Sequence, residues 1–191
     1  MNAALVKMGR PARPAAACRQ MIGHGLRRFA ELALGGDHLH LTDELVERMT
    51  ACYREHCLVK TRVYPGVGEL VAALAEGGIR LGVLTNKNQA PAEIITRHYF
   101  GETTFDPIVG AADSRPPKPD PQTVRVVLEG WDLAPDAVLF VGDSETDVQT
   151  AANAGLSCAA CEWGFRSRAQ LREAGAPVLI PRPEQILELI E

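Results

Sequence analysis

Two carboxylates stand four positions apart, Asp143 and Asp147, in the segment Gly-Asp-Ser-Glu-Thr-Asp at 142–147. They follow the apolar run 137–141 and precede a helix-like stretch at 147–154, which places them at a strand-to-helix turn. Open α/β sheets hold their ligands at the carboxyl ends of such strands. Neighbouring carboxylates repel each other unless a cation lies between them, and hard oxygen ligands suit Mg²⁺. The pattern therefore predicts a magnesium site with Asp143 and Asp147 as its ligands.

Helix capping is the alternative explanation for part of this turn. Ser144 suits the N-cap position, and Asp147 in the first helical turn is favoured by the helix dipole. Capping accounts for Ser144 and Asp147 but leaves Asp143 unexplained, so the sequence keeps both interpretations open.

Two further polar loops are predicted at the carboxyl ends of strands. Thr85 and Asn86 follow the apolar run 79–84, and their hydroxyl, amide and backbone N–H groups could hold phosphate oxygens. Lys118 lies in the segment 115–121, where four prolines stiffen the chain. A positioned ammonium is a good partner for a phosphate. Taken alone, each loop is equally compatible with an ordinary turn or a solvated lysine.

Composition excludes several classes of protein. The 191 residues are 46% hydrophobic, which predicts a globular protein with a sizeable core rather than a disordered chain. The net charge of -4 argues against a general nucleic-acid binder. No apolar run approaches membrane-spanning length and no signal-peptide pattern occurs, so no membrane association is expected.

Cysteine usage indicates a reducing compartment. Five cysteines, an odd number, fit reduced thiols better than a disulfide framework, and a cytoplasmic location is predicted. Cys158 and Cys161 form one C-x-x-C pair without a second pair, so zinc, which needs four ligands, is not expected. Cys158 is predicted to be a small buried residue on a strand.

The first 30 residues carry an uneven charge. They contain six basic residues and no acidic one: Lys7, Arg10, Arg13, Arg19, Arg27 and Arg28. An organelle transit peptide is one interpretation, although two prolines interrupt the amphipathic helix that it needs. A basic surface facing an anionic substrate and a merely solvated face are the others.

The chain is expected to change character near residues 63–66. Before them, apolar residues recur at helical spacing in 26–33 and 45–53, with Thr42 and Asp43 starting the second helix. After them, helices and strands alternate. Helices are predicted at 67–75, 91–99, 121–130, 147–154 and 186–190, and strands at 79–84, 108–109, 137–141, 157–160 and 178–180. The alternation predicts an α/β fold, with a doubly wound parallel sheet in residues 64–191 beside a helical part at 1–63.

The three loops together resemble the haloacid dehalogenase superfamily. The hydroxyl of Thr85, Lys118 with prolines on both sides, and the Gly-Asp-x-x-x-Asp turn occur here in the order of the superfamily's second, third and fourth motifs. The resemblance to the phosphoglycolate phosphatase group is carried by six segments: Ile-Gly-His-Gly-Leu at 22–26, Tyr-Pro-Gly-Val at 64–67, Leu-Thr-Asn-Lys at 84–87, Lys-Pro-Asp-Pro at 118–121, the 142–147 turn, and Trp-Gly-Phe-Arg at 163–166.

This resemblance implies a role for each candidate residue. Thr85 would bind the transferred phosphoryl group, and Lys118 would neutralise the phosphate and the nucleophile. Asp143 would ligate Mg²⁺, with Asp147 ligating or orienting beside it. Residues 1–63 would form a cap that chooses a small phosphorylated substrate, 2-phosphoglycolate first among them. His24 would lie near the substrate's non-phosphate end, although it also suits an ordinary helix start between two glycines.

One family motif is not found in these residues. The superfamily's first motif, Asp-x-Asp-Gly-Thr, supplies the nucleophilic aspartate, whereas the first aspartate here is Asp37. The resemblance therefore leads us to expect a chain that lacks the first, central strand and the nucleophile, and that is inactive as given. The strands before Thr85 and Asp143 would then either pair directly or leave two open edges. A non-catalytic relative that binds phosphate or a protein partner is the alternative.

Overall fold

The computed structural model describes residues 1–112 and 114–190, and it begins with four helices. They are α1 (Asn2–Lys7), α2 (Ala15–Met21), α3 (Leu26–Leu34) and α4 (Thr42–His56), with a 3₁₀ turn at Gly36–Leu41 between the last two. The helices predicted from the spacing in 26–33 and 45–53, and the start at Thr42, are confirmed. Their apolar faces enclose a core of their own: Ala4, Leu5, Ala30, Ala33, Leu34, Leu45 and Met49.

Helices and strands alternate in the rest of the described chain. The elements are α5 (Val67–Glu76), β1 (Val83–Asn88), α6 (Gln89–Phe100), β2 (Ile108–Ala111), α7 (Gln122–Trp131), β3 (Leu139–Gly142), α8 (Glu145–Ala154), β4 (Ser157–Cys161), α9 (Arg168–Glu173) and β5 (Val178–Ile180). Short 3₁₀ turns lie at Pro135–Ala137 and Pro183–Leu189. The predicted α/β alternation is confirmed.

The described strands form two parallel sheets rather than the single sheet that was predicted. β1 pairs with β2, and β3 pairs with β4, which pairs with β5. β1 and β3 do not pair with each other in the described residues, so each has one edge without a strand partner. Val141 on β3 is 41% exposed, which is unusual for an apolar residue of a parallel sheet, because such sheets are normally covered on both faces.

The position of β1 differs from the prediction. The strand was expected at 79–84 with Thr85 and Asn86 in the following loop, but it runs from Val83 to Asn88. Proline explains the late start, because Pro107 has no N–H and the regular ladder with β2 begins only at Ile108. Between Leu84 and Asn88 the register with β2 shifts, so Thr85 and Asn86 lie in an irregular part of β1.

The last predicted helix is also different. Residues 186–190 were expected to be α-helical, but Pro183–Leu189 forms a 3₁₀ turn that begins at the proline. Proline suits this first position, because the N–H that it lacks would have no partner within the helical turn.

The buried apolar residues fall into separate groups. One lies among helices α7 to α9 and strands β3 and β4, and another joins α5 to β4, β5 and the final turn. Neither includes a residue before Leu70, while the first core lies within residues 4–49. The boundary between residues 1–63 and 64–191 stays a prediction. Among the described residues, no helix is both long and apolar enough to span a bilayer.

Candidate active site

The Lys118 ammonium links the main chain of β1 to the first turn of α8, the helix that follows β3. Its Nζ donates to the main-chain oxygen of Leu84 at 3.0 Å and lies 2.6 Å from Oδ1 of Asp147, beside the ring of Phe140. The side chains of Lys118 and Asp147 are only 11% and 9% exposed. Because a nearly buried charge needs a partner, this ion pair ties Lys118, which is bound to β1 through Leu84, to the first turn of α8.

Asp147 caps its own helix. Its Oδ2 accepts hydrogen bonds from the N–H of Asp143, the N–H of Ser144 and the Ser144 hydroxyl, at 3.1, 3.1 and 2.6 Å. In return the Asp147 N–H donates to Ser144 Oγ, which completes a capping box. The capping interpretation is thus confirmed for Ser144 and Asp147. With Lys118 on its other oxygen, Asp147 is held by four donors.

The side chain of Asp143 takes no part in the helix cap. Its Oδ2 accepts a hydrogen bond from the Phe165 N–H at 2.7 Å. Burial raises the pKa of Asp143, the Phe165 hydrogen bond opposes this, and the charge of Asp147 raises the pKa further. A partly buried carboxylate with few donors and a second acid beside it is a favourable place for a cation.

Two glycines let the chain approach these carboxylates closely. A Cβ at Gly142 would lie 2.2 Å from Cβ of Asp147, and a Cβ at Gly164 would lie 2.2 Å from Cβ of Asp143. Neither approach leaves room for a side chain, so both positions require glycine.

Thr85 and Asn86 have different surroundings. The half-buried Thr85 hydroxyl accepts from the Lys87 N–H at 3.1 Å, and its own proton remains available to donate. Asn86 is buried, and its amide is already used. It donates to the oxygens of Gly23 and Lys118 at 3.0 and 3.1 Å and accepts from the Lys118 N–H at 2.8 Å. The Asn86 side chain therefore holds other loops in place, and its predicted contact with phosphate stays a prediction.

His24 lies at the edge of the site. Its ring is 44% exposed and its Nε2 is 3.6 Å from Oε1 of Glu145. Glu145 in turn accepts two hydrogen bonds from the buried Arg166, which hold the pKa of this carboxyl below its usual range. His24 directly precedes Gly25, the N-cap residue of α3. The structure is therefore compatible with both the substrate-binding and the helix-start interpretations.

The thiols near the site are not activated. Burial raises the pKa of Cys158 to about 11 and that of Cys161 to about 12, with the acidic residues of the site adding to the shift. Both lie on β4, and the predicted buried strand position of Cys158 is confirmed. Because a thiol reacts as its thiolate, these cysteines are poor nucleophiles at neutral pH.

Several basic residues of the first 30 positions contact the protein itself. Arg13 donates to the oxygen of Ala33 at 2.7 Å, and Arg28 pairs with Glu31 at 3.0 Å. Arg19 donates to the oxygen of Gly164 at 3.2 Å, next to the candidate site. The structure therefore places one arginine of this segment beside a loop of the candidate site.

Comparison with known proteins identifies the family. Residues 1–161 match the sequence profile of the haloacid dehalogenase-like hydrolases. The chain belongs to the haloacid dehalogenase-like hydrolase family. It is 38% identical over 172 residues to the phosphoglycolate phosphatase of Rhodospirillum rubrum, covering 84% of this chain and 70% of that one. It is 28% identical over 179 residues to the N-acetylmuramic acid 6-phosphate phosphatase of Pseudomonas aeruginosa, covering 91% and 77%.

Solved structures agree on the fold. A haloacid dehalogenase-like family protein of Streptococcus pneumoniae superposes with a TM-score of 0.87 at 22% identity, covering 98% of this chain and 87% of that one. The predicted resemblance to the family is confirmed. The family profile already matches from residue 1, so the predicted loss of a first strand and motif is not confirmed and stays a prediction.

Two features of this site were not predicted from the sequence. One is the pairing of Glu145 with Arg166, although both residues lie in segments that carry the family resemblance. The other is the role of Asn86 as a link between loops. Arginine two residues after Gly164 was the available signal, because a buried arginine needs several acceptors.

Replacing Asp143 with asparagine should stabilise the metal-free chain. Because the pKa of Asp143 is raised in the folded state, ionisation disfavours folding. The advantage of Asp143→Asn should therefore appear as pH rises through the ordinary aspartate pKa and be complete above the raised one. Thermal unfolding between acid and neutral pH measures it, with the exposed Asp136→Asn as control. A variant that unfolds earlier than the parent at neutral pH would contradict this account.

Proposed function

We propose that this chain carries the phosphate site and substrate-selecting part of a Mg²⁺-dependent phosphatase for small phosphate monoesters. The observation that carries the proposal is the placement of Lys118, whose ammonium contacts the main chain of β1 at Leu84, the Phe140 ring on β3 and the Asp147 carboxylate. A phosphate bound there would meet the Lys118 charge and the Thr85 hydroxyl. Fixed charges that meet a developing negative charge without reorganising are the largest contribution in many enzymes.

Mg²⁺ fits the donors only in part. Asp143 offers a carboxylate with one oxygen held by a single N–H, which suits a hard cation. Asp147 is already held by four donors, so we propose that it orients Asp143 and Lys118 rather than ligating. No group of three or more His, Cys, Asp or Glu side chains suited to a metal occurs within residues 1–112 and 114–190. The ion would supply charge neutralisation at the phosphate, with water and substrate completing its ligands.

The nucleophile is the second part of the proposal. None of the 191 residues lies in an Asp-x-Asp-Gly-Thr segment. We propose that a strand outside these residues brings that carboxylate between β1 and β3, opposite Thr85, Lys118 and Asp143. The separate sheets support this, because in the described residues β1 and β3 each have an edge without a strand partner, and Lys118 links β1 to the helix that follows β3.

Phosphoglycolate is the substrate that the relatives favour. The Rhodospirillum rubrum relative is a phosphoglycolate phosphatase, and the Pseudomonas aeruginosa relative is a phosphatase for a sugar phosphate. We propose 2-phosphoglycolate as the first substrate to test. The turn at Gly23–Gly25, including His24, would contact the part of the substrate beyond the phosphate.

A non-catalytic phosphate- or partner-binding protein is the second candidate. The specific observation in its favour is the lack of the nucleophile motif in the sequence. The coding DNA ahead of Met1 distinguishes the two. An in-frame Asp-x-Asp-Gly-Thr supports the enzyme, whereas a stop codon supports the non-catalytic protein.

The 191-residue chain alone should not turn over 2-phosphoglycolate. Positioning groups remain, but without a carboxylate nucleophile the covalent step is missing, and phosphate monoesters hydrolyse extremely slowly unaided. Steady-state phosphate release with Mg²⁺ measures this. Turnover in the ordinary enzymatic range, about 1–10³ s⁻¹, would show that the nucleophile is among the 191 residues.

A further inference from the structure

Arg166 reaches from the loop after β4 into the segment 19–24. Its side chain is 4% exposed, and its Nε and Nη2 donate to the two carboxylate oxygens of Glu145 at 2.6 and 2.9 Å. The same guanidinium donates to the main-chain oxygens of Arg19 and Ile22 at 3.3 and 2.9 Å. One side chain therefore connects the first residue of α8 with the end of α2 and the residue that follows it.

The same segment is held from a second direction. Asn86 donates to the oxygen of Gly23 while its other amide bonds hold the main chain of Lys118. The carbonyls of two successive residues, Ile22 and Gly23, are thus bound by side chains from two different loops of the candidate active site.

A third contact joins the segment 19–24 to the loop 164–166. The Arg19 guanidinium donates to the oxygen of Gly164 and lies 5.9 Å above the ring of Phe165. The main-chain N–H of Phe165 holds Asp143. The loop 164–166 therefore contacts the proposed metal ligand on one side and the segment 19–24 on the other.

We propose that Arg166 is a positioning residue that locks the segment 19–24 onto the loops carrying Lys118 and Asp143. The following turn at Gly23–Gly25 then has a fixed distance from the phosphate and selects the substrate by the part beyond it. This inference rests on the proposed function for the identity of the substrate. Arginine suits this position because its planar fork donates four hydrogen bonds, two to the carboxylate and two to carbonyls, whereas an ammonium has only three donors.

Hydrogen exchange tests the positioning role without any ligand. In Arg166→Gln the amides of residues 15–25 should exchange about ten- to a hundredfold faster, the factor expected for one or two lost charge-assisted hydrogen bonds. Peptides from α8 and β4 should keep their parent rates. Arg166→Lys should restore protection only in part. Arg168→Gln is the matched control, since this neighbouring, half-exposed arginine pairs with Glu162.

Calorimetry with two ligands separates positioning from a general loss of structure. With Mg²⁺ present, Arg166→Gln should weaken 2-phosphoglycolate binding about tenfold and leave orthophosphate binding within about twofold, because only the former reaches the turn. Unchanged exchange in 15–25, or an equal increase throughout the chain, would overturn the positioning role. A parent chain that binds neither ligand but shows the selective exchange change supports the role of Arg166 and overturns the phosphatase proposal instead.

Discussion

Adding a strand with an Asp-x-Asp-Gly-Thr loop ahead of Met1 should both stabilise the chain and make it a phosphatase. The new strand would pair with the open edges of β1 and β3, and each backbone group that gains a partner there contributes about 0.5–1.5 kcal/mol. Several such groups amount to a large fraction of the stability of a domain, roughly 5–15 kcal/mol. We therefore expect a gain of several kcal/mol in the free energy of unfolding.

The activity should appear with the stability. The added loop would place a carboxylate nucleophile opposite Thr85, Lys118 and Asp143, which allows a covalent phosphoaspartate step. Denaturant unfolding and Mg²⁺-dependent phosphate release, measured on the short and extended chains, test both effects. A second extended chain with asparagine in place of the first aspartate of the loop should keep the stability and lose the activity.

Lys118→Ala in the extended chain separates the effect of the ammonium charge on turnover from its effect on stability. Removing the ammonium should lower turnover about 10²- to 10³-fold or more, since it neutralises the transferred group. The cost to stability should be smaller, because Asp147 keeps the three donors of the Asp143–Ser144 turn. Lys60→Ala, at an exposed lysine, is the control. Extension that adds stability without activity would favour the non-catalytic alternative, and extension that changes neither would contradict the proposal that a further strand lies between β1 and β3.

The parts of this site that local sequence predicts are those set by the ends of strands. Lys118 and Asp143 come together because the carboxyl ends of parallel strands share one side of the fold, a rule that needs only the order of elements. The start of α8 was equally predictable, since Ser144 and Asp147 have the side chains of a helix cap within four residues.

The parts that local sequence did not predict depend on contacts between distant positions. Asn86 has the composition of a phosphate ligand, but its amide is used by Gly23, 63 positions earlier, and by Lys118. Arg166 meets Ile22 across 144 positions. Neither hydrophobic periodicity nor a turn signature indicates which distant carbonyl a side chain will bind. Such hydrogen bonds can be identified only in the folded structure. The late start of β1 also depends on a distant residue. Pro107, which directly precedes β2, has no N–H to donate to β1.

Gly142→Ala should strongly destabilise the chain, whatever its activity. The new methyl carbon would lie 2.2 Å from Cβ of Asp147, far inside van der Waals contact. Asp147 cannot move aside easily, because its carboxylate is held by Lys118 and by three donors from Asp143 and Ser144. Overpacking a close-packed site costs about 1–3 kcal/mol, and we expect the upper end or more where both partners are fixed.

A second glycine gives a control of opposite sign. Gly130 lies within α7, and a Cβ there would meet nothing within 4 Å. Gly130→Ala should therefore stabilise the chain by about 0.5–1 kcal/mol, because alanine loses less backbone entropy than glycine in a helix. Thermal and denaturant unfolding of the two variants beside the parent should move in opposite directions. If Gly142→Ala unfolds together with the parent, the end of β3 does not pack on Asp147, and the link from Lys118 through Asp147 to Asp143 has to be abandoned.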